Sequence, residues 1–285
     1  MATFYNQATL NFGGTATSSN VTEGELLGSS SIGKLSASAD YTRGDGITYV
    51  VSLSNTSSAA QNDLTLDDNL GLFTPVGGTT PVVPLDYVEG SVLFYINGIL
   101  QPEPTVNSGT SLVISGLDIP AGANALIIYE ARANIFAPLA EGSSITNTVT
   151  LSGAACPESA EASTTVPVRD TVALTVAKAL CPLAISECGA PITYTFVIQN
   201  TGNTAATEGI TLNDTFTPIL GNLTVTLDGE ELEAGTGYTY DETTGEFATV
   251  DGAITVPPAT FTTDPVTGIV SSAPGVAVLT VSGTV

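Results

Sequence analysis

Short runs of alternating apolar and polar residues, separated by turn-forming residues, constrain this chain more than any other feature. Thr48–Ser54 and Thr193–Gln199 place an apolar side chain at every second position, and both lie between segments rich in Gly, Pro and Asn. Alternation with a period of two is typical of strands that bury one face, and the turn residues end each strand early. The sequence therefore predicts an all-β fold built from antiparallel sandwiches.

The alternating runs belong to two copies of one domain. Residues 46–55 align with 191–200, because both contain Ile-Thr-Tyr and both end on Asn. Further along, Leu64–Asp68 aligns with Ile210–Asp214. A match that repeats at similar spacing indicates tandem copies of one structural unit.

The chain has two lysines, and each precedes the Ile-Thr-Tyr element of its own copy by a similar distance. Lys34 lies 13 positions before Ile47, and Lys178 lies 14 positions before Ile192. A chain of 285 residues is long enough for two domains that each bury a core. The predicted organisation is a donor strand at 1–12, a linker at 13–31, a sandwich at 32–153, a linker at 154–173 and a second sandwich at 174–285.

The second copy lacks a strand that the first copy contains. The first copy continues into Ser144–Leu151, and the second reaches Val285 without a counterpart. The sequence resembling this strand is at the other end of the chain, where Tyr5–Leu10 aligns with Thr146–Leu151. A sandwich without its last strand exposes unpaired backbone groups and an open core.

We therefore expect the N-terminal strand to complete the second domain of another copy by donor-strand complementation. Such a contact is head to tail, and without closure it produces a filament of identical subunits. Two alternatives stay open: residues 1–12 return to the second domain of their own chain, which the linker is long enough to allow, or they pack on the first domain. The donor residues expected to face the core are Phe4, Asn6, Ala8, Leu10 and Phe12.

The charge balance limits the partners of this chain. Asp and Glu number 28 against 5 Lys and Arg, which gives a formal charge of −23. A surface of this kind repels nucleic acid and anionic membranes, and no apolar run is long enough to span a bilayer. The partner we expect is a second copy of the chain, at the cell surface, at a spore surface or elsewhere outside the cell. The first residues lack the pattern of a secretory signal, so assembly in a sporulating mother cell, non-standard export or processing is expected.

The composition disfavours catalysis and metal binding. The chain has no His, which removes the commonest general base and metal ligand. Its three cysteines have no metal-binding spacing, and no acidic run matches a calcium loop, so no enzyme activity, metal or cofactor is predicted. Cys181 and Cys188 are disulfide candidates with Cys156 left over, and the alternative is that the cysteines are small buried residues.

The equivalent lysines suggest one specific chemistry. A buried lysine loses its charge readily and becomes a nucleophile, and beside an asparagine polarised by a protonated aspartate it can form an isopeptide bond with loss of ammonia. The alternative is an ordinary salt bridge between each lysine and its aspartate. The candidates are Lys34 with Asn147 and Asp68 in the first domain, and Lys178 and Asp214 with Asn6 of the neighbouring subunit.

These motifs also resemble a known family. The series of Lys, Ile-Thr-Tyr…Asn-Thr, Thr-Leu-x-Asp and Asn-Thr-Val-Thr is similar to the bacterial and archaeal surface repeat called domain of unknown function eleven. The resemblance implies immunoglobulin-like sandwiches in stalks, sheaths and appendages, without enzyme activity. This sequence departs from it in the absent final strand of the second copy. The residues that carry the resemblance are Lys34, Ile47–Asn55, Asp68 and Asn147, then Lys178, Ile192–Thr201 and Asp214.

Two functions are compatible with these observations. The first is a structural subunit of a surface filament, which the displaced strand and the repeat favour. The second is an adhesin, whose binding loop would include Tyr238–Asp241. Removal of residues 2–12 should keep a filament subunit monomeric, whereas an adhesin should keep its binding.

Overall fold

The computed structural model describes residues 2–12, 14–26, 30–153, 159–184 and 189–285, and these residues form strands and no helix. The chain divides into two compact units. Most of unit 1 comes from the residues up to Pro138 with Ser144–Val168, and most of unit 2 comes from Arg169–Asp264 with Val270–Val285. The predicted all-β class with sandwich-like units is confirmed.

The first strands form a two-part antiparallel hairpin at the N-terminus. β1 pairs with β4, and β2 pairs with β3. We call residues 2–26 the N-terminal hairpin. Its strands are β1 (Ala2–Asn6), β2 (Thr9–Phe12), β3 (Thr15–Ser18) and β4 (Thr22–Leu26).

The remaining strands of unit 1 form two sheets. The first has the order β10-β9-β13-β6-β5 with β8 also paired to β13, and the second has the order β11-β12-β7-β14-β15. The strands are β5 (Ser30–Ser36), β6 (Gly46–Asn55), β7 (Gln61–Asp68), β8 (Leu85–Tyr87), β9 (Leu93–Ile96), β10 (Ile99–Leu100), β11 (Thr105–Ser108), β12 (Leu112–Ile119), β13 (Asn124–Ala133), β14 (Ser144–Ser152) and β15 (Ala160–Pro167).

Unit 2 repeats the first sheet and shortens the second. Its larger sheet has the order β16-β17-β25-β19-β20, its smaller sheet has the order β18-β22-β21, and β23 pairs with β24. The strands are β16 (Leu174–Cys181), β17 (Pro191–Asn200), β18 (Asn213–Thr215), β19 (Gly221–Leu227), β20 (Glu230–Glu231), β21 (Tyr238–Tyr240), β22 (Glu246–Thr249), β23 (Thr260–Thr263), β24 (Val270–Ala273) and β25 (Gly275–Thr284).

The alternating runs form the central strands of both units. In β6 every second side chain is buried, from Ile47 to Asn55, and β17 has the same pattern from Ile192 to Asn200. The terminal asparagines serve the fold: Asn55 donates to three backbone carbonyls and Asn200 donates to the carbonyl of Thr204. The shared Ile-Thr-Tyr…Asn element is therefore a core strand followed by an amide-braced turn.

Both segments that the sequence assigned to linkers contain strands. Residues 13–31 hold β3, β4 and the start of β5, and residues 154–173 hold β15. β15 pairs with β14 along its length and belongs to the second sheet of unit 1. Both segments are rich in Ser, Thr, Ala and Gly, and an edge strand with one solvated face has a weaker apolar alternation than a central strand.

Candidate functional site

Lys34 lies in the interior of unit 1. β5 pairs with β6 and places Lys34 opposite Val51, and the side chain is 0 % exposed. Its Nζ atom lies 2.5 Å from Oδ2 of Asp68, whose side chain is 2 % exposed. Burial lowers the pKa of Lys34 from 10.5 to about 8, against the opposing effect of the Asp68 carboxylate.

Asp68 connects Lys34 to Asn147 through a tyrosine. Tyr129 donates its hydroxyl hydrogen to Asp68 Oδ2 at 2.6 Å, and Asn147 donates from Nδ2 to the Tyr129 oxygen at 3.0 Å. Asn147 is 0 % exposed, and its Oδ1 atom has no hydrogen-bond partner within the described part of the chain. An unpaired buried carbonyl costs about 1–3 kcal/mol. This cluster, which we call centre 1, thus contains an amine, a carboxyl group and an unsatisfied carboxamide.

Two tyrosine rings line centre 1, and no role there is predictable for either from the sequence pattern. Lys34 Nζ lies 5.0 Å from the ring centroid of Tyr49 and 5.9 Å from that of Tyr129, and the two rings stack at 5.4 Å. Burial raises the pKa of both phenols, so both stay protonated at neutral pH. Tyr49 belongs to the Ile-Thr-Tyr motif, which was a usable signal. Tyr129 was recognisable only as a strand residue.

Unit 2 contains an equivalent pair that solvent reaches. Lys178 forms an ion pair with Asp214, but the two side chains are 40 % and 19 % exposed. Lys178 Nζ lies 4.5 Å from the Tyr194 ring centroid and 5.5 Å from that of Phe216. We call this cluster centre 2. Like centre 1, it contains an amine, a carboxyl group and aromatic rings beneath the amine.

Centre 2 differs from centre 1 in two components. The pairing of β13 with β6 places Tyr129 opposite Tyr49, and the pairing of β25 with β17 places Val281 opposite Tyr194. The position of Tyr129 is therefore taken by a valine. No strand described in unit 2 corresponds to β14, which carries Asn147 in unit 1. Among the described residues, no strand of unit 2 therefore brings a counterpart of the Asn147 carboxamide to centre 2.

Among the described strands, one sheet edge beside centre 2 is unpaired. In unit 1, β7 pairs with β12 on one side and with β14 on the other. In unit 2, β18 pairs with β22 alone among the described strands. A groove at the start of β18 includes Asn213 and is lined mainly by the apolar side chains of Leu174, Val176, Ile198, Ile210 and Leu212.

The predicted donor residues lie on the N-terminal hairpin. Register pairs Phe4 with Gly24 and Asn6 with Thr22 on β1, and Leu10 with Thr17 and Phe12 with Thr15 on β2, with Ala8 between the two strands. Leu10 is 67 % exposed and Phe12 is 85 % exposed. Both side chains are therefore mostly in contact with solvent on the N-terminal hairpin.

The remaining predicted residues carry no site in the described part of the chain. Cys181 ends β16 and is exposed, and Cys188, its candidate partner, lies outside the described residues, as does Cys156. The described residues contain no cluster of three or more His, Cys, Asp or Glu side chains able to hold a metal ion. They also contain no helix long and apolar enough to cross a membrane.

Comparisons with known proteins find similarity only among solved structures. No family model and no curated protein matches the chain. The major pilin of Streptococcus agalactiae, as a C-terminal fragment, aligns over 52 % of this chain and 58 % of its own, at 13 % identity and a TM-score of 0.36. The pilus backbone of Streptococcus pneumoniae aligns over 86 % and 55 %, at 14 % identity and a TM-score of 0.36.

The major pilin subunit of Bacillus cereus aligns over 96 % of this chain and 73 % of its own, at 12 % identity and a TM-score of 0.40. The chain therefore spans a little over half of the first two pilins and nearly three quarters of the third. Similarity at this level leaves the function to be argued from the chemistry of the chain. The resemblance to domain of unknown function eleven stays a proposal.

Proposed function

We propose that this chain is the structural subunit of a surface filament, and that each copy completes unit 2 of its neighbour with its N-terminal donor residues. The observation that carries this proposal is the open edge of β18 beside centre 2. In unit 1 the equivalent edge of β7 is paired with β14. An edge with unpaired backbone groups next to an apolar groove is a template for strand addition.

The donor residues have the character that this groove requires. Leu10 aligns with Leu151 and Ala8 aligns with Val149, and both β14 residues are buried in unit 1. Leu10 is 67 % exposed on the N-terminal hairpin, and Leu151 is 5 % exposed in its finished sheet. Insertion would bury apolar surface on both partners and thereby stabilise the joint. The contact joins two different surfaces, so repetition without closure builds a filament.

The same insertion would bring a carboxamide to centre 2, because Asn6 aligns with Asn147. Neutral Lys178 would attack the side-chain carbonyl carbon of Asn6, form an Nζ–Cγ bond and release Nδ2 as ammonia. Ammonia carries away the proton that Nζ gives up, so no oxidant or cofactor is required. Asp214 would be the carboxyl group beside the reacting amine, as Asp68 would be for Lys34 and Asn147 within unit 1.

The proposed filament lies outside the cell, on a cell or spore surface, and its partner is another copy of the chain. The chemistry needs no enzyme activity, since each lysine reacts once with a group held beside it. For the adhesin alternative, Tyr238–Tyr240 forms strand β21 and Tyr238 is buried, while Tyr240 and Asp241 line a surface cavity. We favour the filament because the unpaired edge of β18 has a paired equivalent in unit 1.

Leu10→Asp with Asn11→Asp as its control tests the assembly. Leu10 belongs to the face expected to enter the groove, and Asn11 points to the opposite face of the same strand. In negative stain, the unmodified chain and Asn11→Asp should form long thin fibres, and Leu10→Asp should stay monomeric because insertion would bury an unpaired charge. An unmodified chain that stays monomeric at high concentration contradicts the proposal.

Intact mass and denaturing gels test the covalent part on the same samples. The unmodified chain should have lost one ammonia from centre 1, and its boiled filaments should run as a ladder. Lys178→Met should still form fibres, but these should dissolve to monomers on boiling. A ladder that persists in Lys178→Met would exclude the proposed bond between subunits. An unmodified chain of full mass would exclude the proposed bond within centre 1.

A further inference from the structure

We infer that the donor is the whole N-terminal hairpin, so that residues 15–26 enter the neighbouring subunit together with residues 2–12. This inference rests on the proposed filament function and specifies what each copy lends to the next. It concerns the part of the chain that the sequence assigned to a linker. Four observations on the two units support it.

The first observation is that unit 1 is completed by two strands. β14 pairs with β7, β15 pairs with β14, and β15 also packs against β5, which carries Lys34. β15 thereby closes the side of the sandwich over the lysine strand. Val166 of β15 is 1 % exposed, and the Lys34 side chain beneath this closure is 0 % exposed.

The second observation is that unit 2 lacks the equivalents of both strands in its described part. β16 corresponds to β5, yet nearly all of its residues are exposed, whereas β5 is largely half-buried. Val176 is 62 % exposed, and the Lys178 side chain is 40 % exposed. A single strand added to β18 would fill the position of β14 and leave β16 uncovered.

The third observation is that the N-terminal hairpin already has the form of the β14–β15 pair. In unit 1, Asn147 lies opposite Thr164. In the N-terminal hairpin, Asn6 lies opposite Thr22. The reactive asparagine candidate therefore faces a threonine on the second strand in both pairs, and the second strand leads into the lysine strand of the next sandwich in both.

The fourth observation is the order of these pieces along the chain. The hairpin ending at Leu26 precedes β5, which begins at Ser30, and the β14–β15 pair ending at Pro167 precedes β16, which begins at Leu174. Each two-stranded pair is thus followed closely by a sandwich. The β14–β15 pair completes the sandwich before it, and the N-terminal hairpin would do the same for the preceding subunit.

A disulfide that locks the hairpin provides the test. Asn11 and Ala16 lie directly opposite each other on β2 and β3, within reach of a cross-strand disulfide, and on the face away from the donor residues. The chain carries Asn11→Cys and Ala16→Cys with its natural cysteines replaced by serine, and is kept unfolded in urea until the assay. It is then refolded with a thiol oxidant or with a reductant, and the fibres are counted in negative stain.

If the whole hairpin is the donor, the oxidised and reduced chains should form fibres to within about twofold, and peptide mapping should find the disulfide inside the fibres. If residues 2–12 must leave residues 15–26 before they insert, the oxidised chain should lose at least about 90 % of its fibres while the reduced chain assembles. That result overturns the hairpin inference and leaves the filament proposal intact. Absence of fibres in both states and in the unmodified chain contradicts the filament proposal itself, and failure of the disulfide to form contradicts the hairpin pairing.

A matched pair of substitutions gives a second readout. Thr22 corresponds to Thr164, which is half-buried, and Ser18 corresponds to Glu161, which is exposed and already charged. Thr22→Glu should therefore reduce fibre formation about tenfold or more, since it would bury a carboxylate between β4 and the neighbouring sandwich. Ser18→Glu should change it by less than about twofold, and Thr22→Val should restore what Thr22→Glu removes. Equal assembly of Thr22→Glu and Ser18→Glu would leave residues 15–26 outside the joint.

Discussion

Lys34 and Lys178 occupy equivalent strand positions but differ in solvent exposure. Each forms an ion pair with an aspartate, and the Nζ atom of each lies over a tyrosine ring. The Lys34 side chain is buried, and burial lowers its pKa to about 8. Roughly a tenth of this amine is therefore neutral at pH 7. A neutral amine is the form that attacks a carboxamide. Closure of the sandwich over Lys178 is the step that would give it the same environment.

The lowered pKa of Lys34 predicts how the stability of unit 1 depends on pH when the proposed bond is blocked. Asn147→Leu removes the reacting carboxamide and keeps the side-chain volume. Between pH 8 and 10.5 the unfolded chain holds a proton on Lys34 that the folded chain has lost, so the free energy of unfolding should rise with pH. We expect a gain of about 2 kcal/mol from pH 7 to 9.5, measured by urea unfolding.

The control is the same chain with Lys34→Met added, and the difference between the two variants isolates the lysine. In each variant taken alone, the free energy of unfolding should fall with pH above about pH 10. The reason is that the raised pKa values of Tyr49 and Tyr129 keep the folded phenols protonated while the unfolded ones ionise. A pH-independent difference between the variants would mean that Lys34 keeps an ordinary pKa in the folded chain.

At the scale of strands, the sequence predicted the central strands well. It predicted poorly the second half of the N-terminal hairpin and the second strand of the β14–β15 pair. β6 and β17 bury every second side chain and share a motif, so alternation and repetition locate them. β15 exposes every second position along most of its length, and its Ala and Thr residues have no strong apolar contrast. The strands of residues 15–26 have the same weakness, so both were assigned to linkers.

The cluster at centre 1 was predicted in part for a related reason. Lys34, Asp68 and Asn147 stand at repeated spacings, and that repetition was enough to name them together. Tyr129 was missed because its position in unit 2 is a valine, and comparison of the two copies therefore hides it. Alternation tells which face a residue occupies, but the hydrogen bond from Tyr129 to Asp68 depends on how the two sheets stack.

The alignment of the donor strand with β14 predicts the register of the joint. In unit 1, Thr150 lies opposite Asp67, and their counterparts are Thr9 and Asn213. Thr9→Cys combined with Asn213→Cys, without the natural cysteines, should form a disulfide between copies on mild oxidation, because directly opposed side chains are close enough. A ladder on a non-reducing gel is the expected result.

Thr9→Cys with Thr215→Cys is the matched control, since it is displaced by two positions and should cross-link at least about tenfold more slowly. A disulfide within one chain would support the alternative in which residues 1–12 return to their own unit 2. Equal cross-linking of both pairs would mean that the donor has no fixed register.

At the scale of the whole molecule, the proposed assembly would have to bring together copies that each carry a formal charge of −23. Like charges on approaching subunits oppose encounter over roughly one Debye length, which falls from about 30 Å at 0.01 M salt to about 8 Å at 0.15 M. The donor residues Phe4, Asn6, Ala8, Leu10 and Phe12 contribute no charge to this repulsion. In the proposed filament, the joint would therefore be apolar while charge repulsion slows the approach of the subunits to it.

The rate of filament growth should consequently rise with salt. We expect an increase of about tenfold or more between 0.01 M and 0.15 M sodium chloride, with little further gain above that range, measured by light scattering at constant subunit concentration. Sucrose at matched osmolality is the control, because it favours burial without screening charge, and it should reproduce little of the increase. A growth rate that falls with salt would show that attraction between opposite charges guides the encounter, in which case Lys178 and Arg169 of the acceptor unit are the cations to substitute first.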